Sequence, residues 1–196
     1  MNIKFDVTIQ RIIHDCSEMK LDYNQSYLIA YPEFIKFFSN KKLLTRHDLI
    51  ISSHFVYGWM PKILTLNIRY IDESLRLLIE AKNYKSLDEK ELKILCKCFN
   101  GSLVGTSKLL HFINPNLYAI WDSWVFRYLT KDKLKPHHYR MSDCTLYLKY
   151  LDLCRNLIKI PEFQEFKKNS IFNTYGSDIT DLRVIEIIMF ETQKHK

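Results

Sequence analysis

Apolar residues recur along most of the chain at the three- and four-residue spacing that is typical of amphipathic helices. Within 88–99, for example, Leu92, Leu95, Cys96 and Phe99 share one face, while charged residues occupy the other. The same periodicity predicts helices over 26–39, 46–64 with a break near Gly58 and Pro61, 70–82, 88–99, 106–113, 123–129, 142–158 and 180–194. The pattern therefore predicts an all-α fold, with a short strand or extended arm in the first ten residues.

Residues that typically start or interrupt helices support the prediction of an all-α fold. The segment 86–89 reads Ser-Leu-Asp-Glu and matches the S-x-x-E capping box that starts many helices. Only 4 glycines and 5 prolines occur in 196 residues, which is few for a sheet-rich fold with many tight turns. A chain of this length fits one domain, so we treat 1–196 as a single bundle-like α domain.

The amino-acid composition favours some classes of binding partner over others. The chain has 29 Lys and Arg against 22 Asp and Glu, a net charge of +7, which favours an acidic partner and nucleic acid first. Solubility alone is another explanation for that charge. The first residues lack the apolar core of a signal peptide, and no window reaches the roughly 18 apolar residues of a membrane span. We therefore expect a cytoplasmic protein without membrane contact. The five scattered cysteines fit neither a disulfide framework nor a metal site, so we expect buried thiols and no metal.

Two of the glycines lie close together, in the short connection between the helices predicted at 88–99 and 106–113. Gly101, just past a helix end, is placed to supply a left-handed cap. Gly105, just before the next helix, predicts close approach of another backbone. The amides of Gly105, Thr106 and Ser107 would then point outward at a helix N-terminus and form an anion site. An ordinary αα-hairpin explains the same residues without any anion.

A carboxylate flanked by tryptophans is the second notable feature. Pro115 ends the preceding helix, an extended segment follows, and Asp122 stands immediately before the helix predicted at 123–129. This position is typical of an N-cap residue, whose carboxylate accepts hydrogen bonds from the first helical amides. A carboxylate fixed in aromatic surroundings can also be a catalytic group. The spacing is compatible with both roles.

Together these features resemble the helix-hairpin-helix DNA glycosylases, which include endonuclease III and the 8-oxoguanine glycosylases. SLVGTSK at 102–108 is similar to their hairpin and lysine, and IWDSWVFRYL at 120–129 is similar to their aspartate and following helix. The match covers about forty residues. It departs from the P-G-V-G pattern because Ser102 and Leu103 replace the proline and first glycine. Lys108 follows Gly105 by three residues where two is usual, which turns its side chain by about 100° around the helix.

The resemblance implies two helical subdomains with a substrate cleft between them, a hairpin region at about 88–113 and an aspartate-bearing segment at 115–130. A base would be flipped into the cleft and excised. We expect double-stranded DNA as the partner, with single-stranded DNA and RNA as open alternatives, and a monomeric protein. Asp122 would assist cleavage of the glycosidic bond, and Lys108 would form a Schiff base if the enzyme also has AP-lyase activity. The resemblance is compatible with a monovalent cation at the hairpin. An iron–sulfur cluster is not expected, because the chain lacks the required cysteines.

Two groups of contact residues accompany this hypothesis. The residues expected to contact DNA are Gly101, Ser102, Val104, Gly105, Thr106, Ser107, Lys131, Lys133, Lys135 and Arg140. The residues expected to line the base pocket are Tyr57, Trp59, His111, Trp121 and Trp124. Each aromatic side chain can instead be a core residue, and the basic run 131–140 can be a solvated surface loop.

Two other functions remain open. The chain can be a non-catalytic helix-hairpin-helix protein that binds nucleic acid, because a fold does not imply an activity. It can also be a helical interaction protein whose basic surface contacts an acidic protein. Base excision separates the first hypothesis from the second, and the salt dependence of DNA binding separates both from the third.

Overall fold

The computed structural model describes residues 3–22, 24–173 and 179–195, and regular structure within them is helical. The all-α prediction is confirmed. The α-helices of the described residues are α1 (Ile9–Glu18), α2 (Ser26–Ser39), α3 (Arg46–Trp59), α4 (Ile71–Lys82), α5 (Glu89–Cys98), α6 (Leu103–Ile113), α7 (Ser123–Thr130), α8 (His138–Met141), α9 (Cys144–Ile158), α10 (Pro161–Asn169) and α11 (Asp181–Lys194). None of these helices is both long and apolar enough to cross a membrane.

The chain divides into two compact units. A central unit comprises 22–118 and contains α2 to α6, together with a 3₁₀ turn at Ile68–Tyr70. A terminal unit comprises 1–21 and 119–196, so it joins α1 to α7 through α11. The chain passes from the central to the terminal unit between Tyr118 and Ala119.

Side-chain caps fix several helix starts. Thr45 and Asp48 form a capping box at the start of α3, and Asp88 and Glu91 form another at the start of α5. The second box lies two residues after the one predicted at 86–89, because Asp88 and not Ser86 is the N-cap residue. Aspartate and serine cap comparably well, so the sequence motif alone does not choose between them.

The core of the central unit follows the predicted periodicity. Leu92, Leu95, Cys96 and Phe99 are buried, as the helical pattern of this segment predicts. An isolated antiparallel bridge joins Leu66 to Phe99, so an extended segment between α3 and α4 lies against the end of α5.

The core of the terminal unit is built mainly from α7, α9 and α11. Tyr147, Tyr150 and Cys154 of α9 are fully buried. Helix α11 carries an ion pair between Arg183 and Glu186, and both side chains are buried. A paired arrangement is required there, because an isolated buried charge would be strongly destabilising. All five cysteines are buried thiols outside any disulfide, as predicted.

The structure corrects the sequence prediction near both ends of the terminal unit. The predicted strand or arm of the first ten residues is short, because α1 begins at Ile9. Helix α10 had not been predicted at all, although Pro161 occupies a favourable first-turn position. In the central unit, α3 ends at Trp59, close to the predicted break, and α2 continues through Pro32.

Candidate functional site

The hairpin between α5 and α6 is short and has a left-handed turn. Asn100 and Gly101 have φ values of 57° and 65°, so the predicted cap conformation at Gly101 is confirmed. Ser102 is the N-cap of α6, and its hydroxyl accepts a hydrogen bond from the Gly105 amide at 3.1 Å. Helix α6 begins at Leu103, earlier than predicted, which places Gly105 in its first turn.

Gly105 lies against a side chain and not against another backbone. A Cβ atom at this position would be 2.6 Å from Cζ of Tyr57, well inside van der Waals contact. The Tyr57 hydroxyl donates a hydrogen bond to the carbonyl of Phe99 at 2.8 Å, and burial raises the pKa of Tyr57 to about 12. The prediction of backbone approach is therefore wrong. Tyr57 supports the hairpin from the core, and a base could stack on it only if the core rearranged.

The predicted anion site at the start of α6 is also corrected. The Gly105 amide is bonded to the Ser102 hydroxyl, and the Thr106 amide donates to the Ser102 carbonyl at 3.0 Å. Gly105, Thr106 and Ser107 are all buried, and Ser107 donates its hydroxyl to the Val104 carbonyl at 2.9 Å. The amides of Gly105 and Thr106 therefore do not face solvent. The accessible part of the hairpin consists of exposed Asn100 and Gly101 with half-buried Ser102 and Val104.

Lys108 lies on α6 and is half-buried. Its ammonium nitrogen is 5.1 Å from the ring centroid of Trp59, a cation–π contact. The indole N–H of Trp59 donates to the Tyr27 carbonyl at 3.2 Å, and its ring lies edge-on to Phe112 at 5.3 Å. Trp59 is also half-buried, so this predicted pocket residue has an accessible part beside the predicted nucleophile.

His111, one turn after Lys108, is a core residue. Its Nδ1 lies 2.7 Å from the Tyr118 carbonyl, and its Nε2 lies 2.8 Å from the Tyr31 hydroxyl. Because a carbonyl only accepts, Nδ1 carries a proton and donates to Tyr118. The side chain is fully buried, so its predicted role in a base pocket is replaced by a structural hydrogen-bond network.

The predicted N-cap role of Asp122 is confirmed. After α6 the chain has no regular secondary structure over 118–122, and the Asp122 carboxylate accepts a hydrogen bond from the Trp124 amide at 2.9 Å. Asp122 has φ −139° and ψ 160°, the extended conformation expected of a cap residue. Its side chain is half-buried, as is that of Ser123. The start of α7 therefore holds a carboxylate in a defined orientation.

The two tryptophans that flank Asp122 have different environments. Trp121 is fully buried, donates to the Met141 carbonyl at 3.1 Å and packs on Tyr150 with ring centroids 5.4 Å apart. Trp124 is 36% exposed, and the Arg127 guanidinium lies 5.7 Å from its ring centroid. Trp121 is therefore core and not pocket, whereas Trp124 offers an accessible aromatic face two residues after Asp122.

The basic run 131–140 is partly used in internal contacts. Lys131 forms an ion pair with Asp6 at 2.7 Å, which lowers the pKa of that carboxyl. Arg140 is half-buried and donates to the Lys135 carbonyl at 2.7 Å. Lys133 and Lys135 extend into solvent. The segment was predicted as a loop, but its last residues begin α8.

Comparison of the chain with protein-family models, with curated proteins and with solved structures found no match. Across residues 3–22, 24–173 and 179–195, no three His, Cys, Asp or Glu side chains are grouped closely enough to hold a metal ion. Two candidate groups of residues are therefore described, each by itself: Lys108 with Trp59 in the central unit, and Asp122 with Trp124 in the terminal unit.

Two pairs of residues come together in the structure although no pattern in the sequence links them. Tyr31, the partner of His111, lies in a different helix, and no local pattern links the two residues. Arg69 and Lys97 line one groove beside Gly101, although they are far apart in sequence. A count of charges within short windows does not find such a pair.

Proposed function

We propose that the chain is a DNA glycosylase that excises a damaged or modified base flipped into an interhelical cleft. The observation that carries the proposal is the carboxylate of Asp122, held at the start of α7 by a cap hydrogen bond of 2.9 Å. It follows an α-hairpin and a segment without regular secondary structure, an order that resembles the one in helix-hairpin-helix glycosylases. Double-stranded DNA is the proposed substrate, consistent with a net charge of +7.

The chemistry gives Asp122 a defined role in this proposal. Breaking the bond between C1′ and the base nitrogen sends the bonding electrons to the base and leaves positive charge on the sugar. A fixed carboxylate stabilises that charge in the transition state without having to reorient. The half-buried position of Asp122 strengthens the effect, because less water screens the interaction.

Lys108 has a second role in the proposal. A neutral lysine amine can attack C1′ as the base leaves with the bonding electrons, so that a C–N bond forms and the nitrogen then loses a proton. The C1′–O4′ bond next breaks, O4′ takes up a proton and the sugar ring opens, which leaves the lysine and C1′ joined as a protonated imine. Strand cleavage then follows by β-elimination. Trp59 and Trp124 are the proposed stacking surfaces for a flipped base, because both keep accessible ring surface.

A non-catalytic nucleic-acid-binding protein is the second candidate function. The observation that favours it is the position of Lys108 over the Trp59 ring, at 5.1 Å from the centroid. A lysine that is packed in this way can contact a phosphate without reacting. In this alternative Asp122 acts only as a helix cap.

The test is incubation of the protein with duplex oligonucleotides that carry a panel of damaged or modified bases, with borohydride added to trap an imine. We expect one substrate class to lose its base and to form a covalent adduct. Lys108→Gln should abolish the adduct and strand nicking, while the matched variant Lys90→Gln, an exposed lysine on α5, should keep both.

Each outcome has a defined meaning. Failure of the wild-type protein to release any base of the panel, together with salt-dependent DNA binding, supports the non-catalytic alternative. Base release without an adduct keeps the glycosylase and removes Lys108 as nucleophile. An adduct that persists in Lys108→Gln shows that another amine reacts.

A further inference from the structure

The segment 62–69, between α3 and α4, is fixed against the end of α5. The Asn100 side chain accepts a hydrogen bond from the Thr65 amide at 2.6 Å and donates one to the Ile63 carbonyl at 2.8 Å. The Asn67 amide donates to the Cys98 carbonyl at 3.0 Å. These bonds hold an irregular segment in one conformation, which is what a preorganised binding surface requires.

This segment and the end of α5 line a surface groove of about 510 Å³. Arg69 and Lys97 line it together with polar Thr65, Asn67 and Asn100, and its lining includes no acidic residue. Lys97 contacts the ring of Tyr70 at 5.6 Å from the centroid, and neither Arg69 nor Lys97 forms an ion pair with a described carboxylate. The groove therefore offers two cations that are not neutralised by neighbouring side chains.

Large apolar side chains are exposed along the same segment. Ile63 is 90% exposed and Ile68 is 71% exposed, the two highest values among the exposed large hydrophobic residues described. Lys62, also exposed, precedes Ile63, and Arg69 follows Ile68. Apolar side chains flanked by cations are suited to a ligand that has both phosphates and apolar faces, and nucleic acid is such a ligand.

We infer that the segment 62–69 together with Lys97 forms a nucleic-acid contact surface, in which Arg69 and Lys97 bind backbone phosphates and Ile63 and Ile68 contact sugars or bases. This surface lies outside the residues that resemble the glycosylase hairpin. It deepens the proposed function and rests on it for the choice of nucleic acid as ligand.

The test is a salt titration of binding to an unmodified duplex oligonucleotide, measured by fluorescence anisotropy. Each lost phosphate contact should lower the magnitude of the slope of log K against log salt by about 1. Arg69→Gln with Lys97→Gln should therefore lower that slope by about 2 and weaken binding about tenfold or more at low salt. Lys90→Gln with Lys93→Gln removes two positive charges from the same helix, α5, outside the groove and should have a smaller effect on the slope.

The contribution of the exposed isoleucines is tested with separate variants. Ile63→Ser with Ile68→Ser should weaken duplex binding several-fold without changing the salt slope. Ile29→Ser, at a 60% exposed isoleucine on α2, is the matched control and should leave binding unchanged. Thermal unfolding of every variant should match the wild-type protein, because each replaced side chain extends from the surface.

Several results would overturn the inference. The first is that Arg69→Gln with Lys97→Gln binds duplex DNA as the wild-type protein does, and the second is that the wild-type protein does not bind duplex DNA. The third is that Ile63→Ser with Ile68→Ser loses binding to phosphatidylserine vesicles but keeps its binding to DNA. The last result would identify a membrane contact. Failure of the proposed function is distinguishable from failure of this inference. If the wild-type protein releases no base but binds duplex DNA, and the groove variants lose that binding, the contact surface is supported and the glycosylase activity is excluded.

Discussion

The hairpin between α5 and α6 and the start of α7 are held in place by different means. In the hairpin, Gly105 packs directly on buried Tyr57, whose hydroxyl is bonded to the Phe99 carbonyl. At the start of α7, half-buried Asp122 is oriented by a cap hydrogen bond. Close packing tolerates few replacements, whereas a cap aspartate can be replaced by asparagine at little cost. Changes in the hairpin should therefore act on stability, and a change of charge at Asp122 should act on function.

The largest stability effect is expected at Gly105. Gly105→Ala should lower the free energy of unfolding by about 1–3 kcal/mol, because the new Cβ would overlap the Tyr57 ring. Gly58→Ala is the matched control: its Cβ meets no atom within 4 Å, so it should be neutral or stabilising by about 0.5–1 kcal/mol. Urea unfolding measures both. Equal stability of the two variants would contradict the packing role of Gly105.

The packing of Tyr57 against the hairpin can also be tested through the pH dependence of stability. Its pKa is raised to about 12 in the folded protein, above the value of about 10 for an unfolded chain. The unfolded state therefore loses this proton first, so the contribution to stability is complete below pH 10 and is lost as pH rises from about 10 to about 12.

Tyr57→Phe should cost about 1 kcal/mol at neutral pH through loss of the hydrogen bond to Phe99. It should also make the decrease in stability above pH 10 shallower than in the wild-type protein. Urea unfolding at several pH values between 8 and 11 measures both effects. An unchanged pH dependence would show that Tyr57 does not titrate as its burial requires.

Removal of a helix cap should lower the free energy of unfolding by an amount similar to or smaller than that expected for Tyr57→Phe. Asp122→Ala and Asp143→Ala should each cost about 1 kcal/mol, because each removes an N-cap of a helix in the terminal unit. Asp143 accepts from the Thr145 amide at 2.9 Å, the same distance as in the Asp122 cap. Thermal unfolding compares them. A much larger loss at Asp122 than at Asp143 would indicate a structural role beyond capping.

The smallest effect on stability is expected in the basic run 131–140. Lys133→Gln with Lys135→Gln should weaken duplex binding several-fold and leave the free energy of unfolding within about 0.5 kcal/mol. Lys131→Gln should add little, because Lys131 is paired with Asp6.

The control for the basic run is Lys159→Gln with Lys168→Gln, two exposed lysines of the same unit. Anisotropy at two salt concentrations measures affinity for all these variants. If the control pair weakens binding as much as Lys133→Gln with Lys135→Gln, net charge and not a specific surface explains the contribution of the run.

Most of the fold follows from local patterns in the sequence. The predicted bounds of α2 match the structure, because its aromatic and apolar residues are contiguous and clearly delimited. Helix α1 was missed although Ile9, Ile12 and Cys16 have helical spacing and are buried. The apolar and β-branched residues that precede it favoured an extended segment. Helix α10 is short and mostly exposed, so its pattern is weak.

The candidate site was only partly predictable. The cap role of Asp122 follows from neighbours in sequence, and the structure has it as predicted. The environments of Gly105 and His111 depend on Tyr57 and Tyr31, which belong to other helices and are far apart in the chain. Tertiary contacts of this kind leave no signature in a single sequence, and for the same reason the groove formed by Arg69 and Lys97 was not foreseen.

The most direct test of the proposed function is the single-turnover rate of base release by Asp122→Asn, compared with Asp143→Asn on the same substrate. Both variants should keep their caps and their DNA affinity, since asparagine caps nearly as well as aspartate. We predict that Asp122→Asn lowers the rate by about 100-fold or more, the scale of losing an electrostatic stabiliser, and that Asp143→Asn matches the wild-type protein. Wild-type base release by Asp122→Asn would contradict the account and reduce Asp122 to a helix cap.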